Sequence, residues 1–349
     1  VTLRPARLRR LLLLTIGALL APVVLLVGAT PASAHAAEGG APVADDYAYR
    51  IDDFEPGVEG VTLTHLATTG QLELVNRSEV EVTVLGYSDE PYLRVGPDGV
   101  WRNERSPATY LDADPSGKAT VPAAADATAQ PDWVQVSEGT TVRWHDHRSH
   151  WMGGAPTGDT DGERIDIAHW SIPFLVGDRR VDATGTTSWA PGPDPLPSLV
   201  VIGVLAVALA VVGLTRRWWD AFAVGACLLA AAAVLDVVGT WWAAPGGSID
   251  KAPTASAILL FALCPVAGLL LVHTDRRAGA ALVGIGAITL LALVGWSGWG
   301  YLDSSELPSG LPSGLARGAV AVTLGSAAGL VAVALRRGLP RSRPVAVPT

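Results

Sequence analysis

From Leu196 onward the chain alternates long apolar runs with short polar breaks. Five runs, 197–215, 218–242, 254–273, 278–300 and 315–335, each approach the ~20 residues that a helix needs to cross the hydrocarbon core of a bilayer. The breaks between them differ in charge. Arg216 and Arg217, Arg276 and Arg277, and Arg336 and Arg337 with Arg341 and Arg343 fall in alternate breaks. The other two breaks, 243–253 and 301–314, carry Lys251 among glycine, proline, serine and acidic residues. Arginine-rich loops stay on the cytoplasmic side. The pattern therefore predicts a multi-pass protein of the cell membrane, with its C-terminus inside and everything ahead of Leu196 outside. An odd number of spans starting outside agrees with that orientation. Trp218, Trp219, Trp241, Trp242, Trp296 and Trp299 lie at run boundaries, where indole rings prefer the wet edge of the bilayer. Asp236 is the acidic residue set well inside a run. A carboxylate there is costly and marks a candidate site for transport or proton relay, unless it faces the hydrated outer interface.

Ahead of the apolar runs the period falls from helical to two. Strand-like stretches are 61–67, 71–76, 79–87, 133–137, 140–144 and 170–176, with turn signals at 96–99 and 158–162. Short strands and no helical period predict an all-β domain, an Ig-like or cupredoxin-like sandwich, followed by an all-α five-helix transmembrane region. The stretch 114–132 reads as a loop. The N-terminus carries Arg4, Arg7, Arg9 and Arg10, an apolar run over 11–27 and the small-residue pattern 30-TPASAH-35, which together read as an export signal cleaved after Ala34. The expected organisation is a signal peptide over 1–34, an extracytoplasmic β-domain over 35–182 and a Pro/Gly linker over 183–196. Five helices over 197–335 and a basic cytoplasmic tail over 336–349 complete it.

Charge sharpens this division. Residues 35–196 hold 27 acidic and 11 basic side chains, net −16, while the remainder is net +8. A domain this acidic lacks the basic stripe that nucleic acid requires, and suits cations or cationic partners. Cys227 and Cys264 both lie in apolar runs of the C-terminal half. The β-domain therefore folds on its hydrophobic core without disulfides, and cysteine-based zinc sites are excluded from it.

The candidate chemistry sits in 141-TVRWHDHRSHWMGG-154. His145, His147 and His150 fall within six residues, followed by Met152, the sole methionine of the chain. Val142 and Trp144 share one face of the strand and are expected in the core. His145 and His147 would then lie together on the opposite face, with His150 returning across a turn. Paired imidazoles chelate Cu, Zn or Ni, and a thioether favours Cu(I). Asp146 could orient an imidazole. The same residues also fit a hydrogen-bonded strand end, with Asp146 paired to Arg148 and Trp151 plugging the core. His65 and His169 stand alone and read as structural. The stretch 86-GYSDEPYLRVGPDG-99 reads as a hairpin, with a ligand groove around Tyr87, Glu90, Tyr92 and Arg94 as the other reading. No G-x-S-x-G or H-E-x-x-H pattern points to an enzyme.

Two resemblances bear on this. The segments 83–112 and 143-RWHDHRSHWMG-153 resemble an actinobacterial family of uncharacterised exported membrane proteins, marked by a WHDHR-x-HWM outer domain. That resemblance implies a β-rich outer domain and a multi-span region, and no activity. At the expected mature terminus, 32-ASAHA-36 resembles the processed start of CopC-type periplasmic copper proteins, where the amine and imidazole of a leading histidine chelate Cu(II). It implies a copper ligand at His35. The spans lack the interior histidines and methionines that copper transport would use. The expectation is a non-enzymatic membrane-anchored protein that binds metal, copper foremost, for capture or delivery at the cell surface. The other reading is a cell-envelope interaction protein whose β-domain docks a protein or polymer.

Overall fold

The computed structural model describes residues 45–338 apart from 67–68, 115–117, 157–161, 216–217, 244–247 and 272–273. The expected signal peptide, His35 and the tail beyond Gly338 lie outside the described residues, as do Arg216 and Arg217. Elements are numbered over the described residues. The β-domain comprises β1 (Tyr47–Asp53), β2 (Val61–Leu66), β3 (Gln71–Asn76), β4 (Val82–Leu85), β5 (Pro91–Gly96) and β6 (Gly99–Asn103). A short helix α1 (Ala108–Leu111), β7 (Trp133–Ser137), β8 (Thr141–Trp144), β9 (Ile165–Val176) and β10 (Arg179–Trp189) follow.

The strands form two antiparallel sheets, as the alternation predicts. One has seven strands in the order β1-β10-β9-β4-β5-β6-β7, and the other has three in the order β2-β3-β8. Register aligns His65, Leu72 and Trp144 in one row of the small sheet and Leu63, Leu74 and Val142 in the next. Leu72, Leu74, Val142 and Trp144 are buried with Val84, Val95, Ile172 and Phe174 of the large sheet in a single core. The Trp144 ring meets Phe174 edge-on at 6.5 Å. Val142 and Trp144 thus occupy the core positions expected of them.

The strand pattern hid part of the large sheet. Residues 183–189, expected in the linker, are the second half of β10 and pair with β1 and β9. The reason lies in what this strand buries. Ala183, Thr186, Thr187 and Ser188 are buried small or polar residues, so no apolar alternation marks them. Gly185 leaves room for the Trp170 ring, which a Cβ there would meet. The stretch 86–99 is the hairpin of β4 and β5 and the turn into β6, with Asp89 at φ 62° and Gly99 at φ 116°. Tyr92 is buried, and the Arg94 guanidinium stands over Trp101 and Trp133 at 5.0 and 5.2 Å from the ring centres, a cation–π sandwich.

Five helices follow: α2 (Leu196–Leu214), α3 (Trp218–Ala243), α4 (Ser248–Leu271), α5 (Arg276–Leu290) and α6 (Ser313–Gly338). Counting the helical turn that carries α5 on to Trp296, each is long and apolar enough to cross a membrane, which makes this a multi-pass membrane protein by architecture. The fourth expected span ends differently. It continues as a π-helical turn over Leu291–Trp296 and a 3-10 turn over Trp299–Leu302. Gly295 and Gly298 lie there against Leu324 and Val320 of α6, a close approach that larger side chains would block. Asp236 is half-buried one turn before Thr240, whose hydroxyl donates to the Asp236 carbonyl.

The β-domain is stitched to the helices. Asp45 and Glu306 exchange backbone hydrogen bonds of 3.2 and 2.8 Å, extending the start of β1 by one rung. Ser305 N donates to Asp46 Oδ1 at 2.9 Å, and Arg164 pairs with Glu306. Burial, with Asp46 and Glu306 adding to it, raises the Asp45 carboxyl to about 6. Arg317 at the start of α6 donates to the carbonyls of Tyr301 and Ser304, fixing the same segment from below. Gly192 lies so close to the Asp303 carbonyl that a Cβ would overlap it. Gly192→Ala is therefore expected to open this seam by about 1–3 kcal/mol of steric strain. Limited proteolysis of the full chain should then cut within 303–312 several-fold faster, with the circular dichroism of the β-domain unchanged. Equal cleavage of both proteins would refute the seam.

Candidate functional site

Strand β8 ends at Trp144, and the chain turns at once. Ser149 N and His150 N both donate to the Asp146 carbonyl at 3.1 Å, closing a single tight turn over 146–150. The Asp146 side chain has no exposure. Its Oδ1 accepts from Arg148 N at 3.0 Å and Arg148 Nε at 2.9 Å. Its Oδ2 accepts from Arg148 Nη2 at 2.8 Å and Trp144 Nε1 at 3.1 Å. Arg148 also donates to the carbonyls of Leu85 and Gly86, and its guanidinium lies 4.8 Å over the Tyr87 ring. A buried, fully bonded ion pair thus pins the turn to the β4–β5 hairpin.

The three histidines ride on that turn. The His145 and His150 rings stand 4.6 Å apart centre to centre, and His145 and His147 stand 5.3 Å apart. Tyr49 of β1 stacks on His150 at 5.5 Å and on His65 at 4.8 Å. Four histidines and a tyrosine therefore gather at one end of the sandwich. His65 is the member that sequence reasoning set aside. Its signal was present: Val61, Leu63 and His65 alternate on one face of β2, so His65 points inward with them.

The ring nitrogens are not saturated. His145 Nε2 and His150 Nδ1 are buried without a hydrogen-bond partner. His147 Nε2 lies 3.1 Å from the Asp114 carbonyl. A carbonyl only accepts, so Nε2 carries a hydrogen, and in that tautomer the lone pair available to a ligand is on Nδ1. Burial pushes His65 and His145 down to about 4, with neighbouring histidines adding to the shift, and lowers His150. At neutral pH these three rings are neutral, the form that ligates metal.

Other expected members stand elsewhere. Met152 is half exposed and takes no part in the ring contacts. Asp146 spends its carboxylate on Arg148 and Trp144 rather than on an imidazole. Trp151 is half-buried and donates to the Gly154 carbonyl. His169 is exposed on β9 and meets Thr186 Oγ1 at 3.0 Å. Among the described residues no group of three or more His, Cys, Asp or Glu side chains is already converged to hold an ion. The rings face and edge one another, so coordination requires their rotation about χ1 and χ2.

A second polar cluster adjoins the turn. His147 N donates to Tyr87 Oη at 3.2 Å, and Tyr87 Oη donates to Asp112 Oδ1. Asp112 Oδ2 is buried and unpartnered. Burial, with the charge of Asp146 adding to it, raises the Asp112 carboxyl to about 8.

No protein-family model, curated protein or solved structure matches this chain.

Proposed function

We propose that the β-domain is the extracytoplasmic metal-binding module of this membrane protein, taking up a transition-metal ion, copper foremost, at His145, His147 and His150. The observation that carries this reading is the pair of buried, unpartnered nitrogens, His145 Nε2 and His150 Nδ1, on rings 4.6 Å apart. Buried polar atoms are normally satisfied, and exceptions call for a partner. Imidazole nitrogens suit Cu, Zn and Ni. The Asp114 carbonyl on His147 is the outer contact that metal-bound histidines use to fix their tautomer. The stack of His65, Tyr49 and His150 orients the third ring. Met152 would supply a softer ligand if the 151–154 segment closed over the rings, and His35 a separate or contributing chelate at the mature terminus. The arginine bias of the breaks favours this domain facing outward, in keeping with capture or delivery at the cell surface.

A second reading rests on β7. It is one of the two edge strands of the seven-stranded sheet among the described residues, and Val134 and Val136 are exposed along it. Such an edge can pair with a protein strand, which would make the β-domain an envelope docking module.

The test is a titration of the full chain in lipid nanodiscs with Cu(II), Cu(I) and Zn(II) against competing chelators. One-to-one binding is expected, weakened at least about 100-fold when His145, His147 and His150 are all changed to Ala. Binding that persists in that variant but vanishes when a residue is added before His35 would move the site to the terminus. No binding tighter than about micromolar, roughly 8 kcal/mol, would leave the docking module in front.

A further inference from the structure

Away from the β-domain, α5 and α6 enclose a groove of about 260 Å³ on the surface of the helices. Its floor is small. Gly284 faces Ala334, so close that a Cβ on Gly284 would stand 3.3 Å from the Ala334 Cβ. Its walls are the exposed side chains Ile285, Ile288 and Leu335, and these helices are membrane-crossing by length and composition. At one end the lining changes from apolar to cationic, at Arg277. Arg276 precedes it, and Arg336 follows Leu335 on the neighbouring helix, so basic residues collect at this end of both helices. Arg276 and Arg277 are exposed and form no ion pair among the described residues.

We propose that this groove is a binding site for an anionic phospholipid, one acyl chain lying over Gly284 and the headgroup phosphate on Arg277. The chemistry at each end names the ligand. A groove walled by isoleucine and leucine within the hydrocarbon takes an alkyl chain. An unpaired guanidinium where the helix leaves that zone takes a phosphate, in the planar geometry that arginine favours. Basic pockets between membrane helices bind anionic headgroups in the same way. A zwitterionic lipid would fill the groove but bring its own cation to the arginines. The site is independent of the metal reading.

The experiment is native mass spectrometry of the full chain, released from detergent after incubation with phosphatidylglycerol or with phosphatidylcholine of the same acyl chains. The wild type is expected to retain phosphatidylglycerol preferentially. Arg277→Gln should reduce that preference about fivefold, as expected of one interfacial cation, and leave phosphatidylcholine retention unchanged. Gly284→Leu should fill the floor and lower retention of both lipids. Ala281→Trp, from an exposed position on the groove rim, serves the same end if Gly284→Leu disturbs folding. Equal retention of the two lipids by the wild type would overturn the proposal. So would groove-filling variants that fold and keep their lipid.

Discussion

Arg148→Met is expected to destabilise the β-domain by about 3–5 kcal/mol, lowering its melting temperature by roughly 10 °C. The substitution keeps the length of the side chain and removes the charge. It leaves Asp146, which has no exposure, with a buried and uncompensated carboxylate. It also strips the Leu85 and Gly86 carbonyls of their donor. Breaking a buried pair from one side costs far more than the pair itself contributes, because the surviving charge cannot reach water. The double variant Arg148→Met with Asp146→Asn should recover part of the loss. Arg143→Met supplies the contrast. Arg143 pairs with Glu73 at 2.6 Å, but both side chains keep water contact, so its loss should cost under about 1 kcal/mol. Melting of the full chain followed by tryptophan fluorescence separates the two cases. If Arg148→Met and Arg143→Met melt alike, the ion pair is not what holds the histidine turn.

Stability of the metal-free protein should peak near pH 6.5 and fall on the alkaline side. Asp112 holds its proton more tightly folded than unfolded, with its carboxyl raised to about 8 by burial and by Asp146. Between about pH 4 and 8 the folded chain therefore binds more protons through this group, and stability falls as pH rises. His65 and His145 act in the opposite sense. Burial lowers both from 6.5 to about 4, so between those values the unfolded chain binds more protons and stability rises with pH. Below pH 6.5 the two kinds of group offset one another, and Asp45, raised to about 6, sides with Asp112. Above pH 6.5 the histidines are silent and Asp112 alone remains, giving a slope of up to about 1.4 kcal/mol per pH unit. Asp112→Asn should flatten that alkaline limb. It should also expose the histidine limb, so that stability drops as pH falls below 6.5. Thermal melts from pH 5 to 8.5 in the presence of a chelator read both limbs. An alkaline limb that survives Asp112→Asn would assign the effect elsewhere.

Elements whose pattern is written in consecutive residues were legible without any tertiary information. Five apolar runs became five helices because a bilayer-length run must satisfy its backbone internally, wherever its neighbours lie. The strands β2, β3, β7 and β8 were legible because apolar and polar residues alternate along them. So was the burial of Val142 and Trp144, and the nearness of His145, His147 and His150 along the chain. Tertiary structure decided the rest. β10 buries glycine, alanine, serine and threonine against Trp170 and β1, which carries no local hydrophobic signal. The link between Asp45 and Glu306 joins residues more than half the chain apart, and nothing near either one announces it. The cluster likewise depends on pairing. His65 reaches the other rings because β2, β3 and β8 share one register, and Tyr49 reaches them because β1 closes the edge of the opposite sheet. A histidine's spacing shows whether its ring can approach a neighbour in sequence. Only the packing of two sheets decides which nitrogens lose their water, and so which ones a metal could claim.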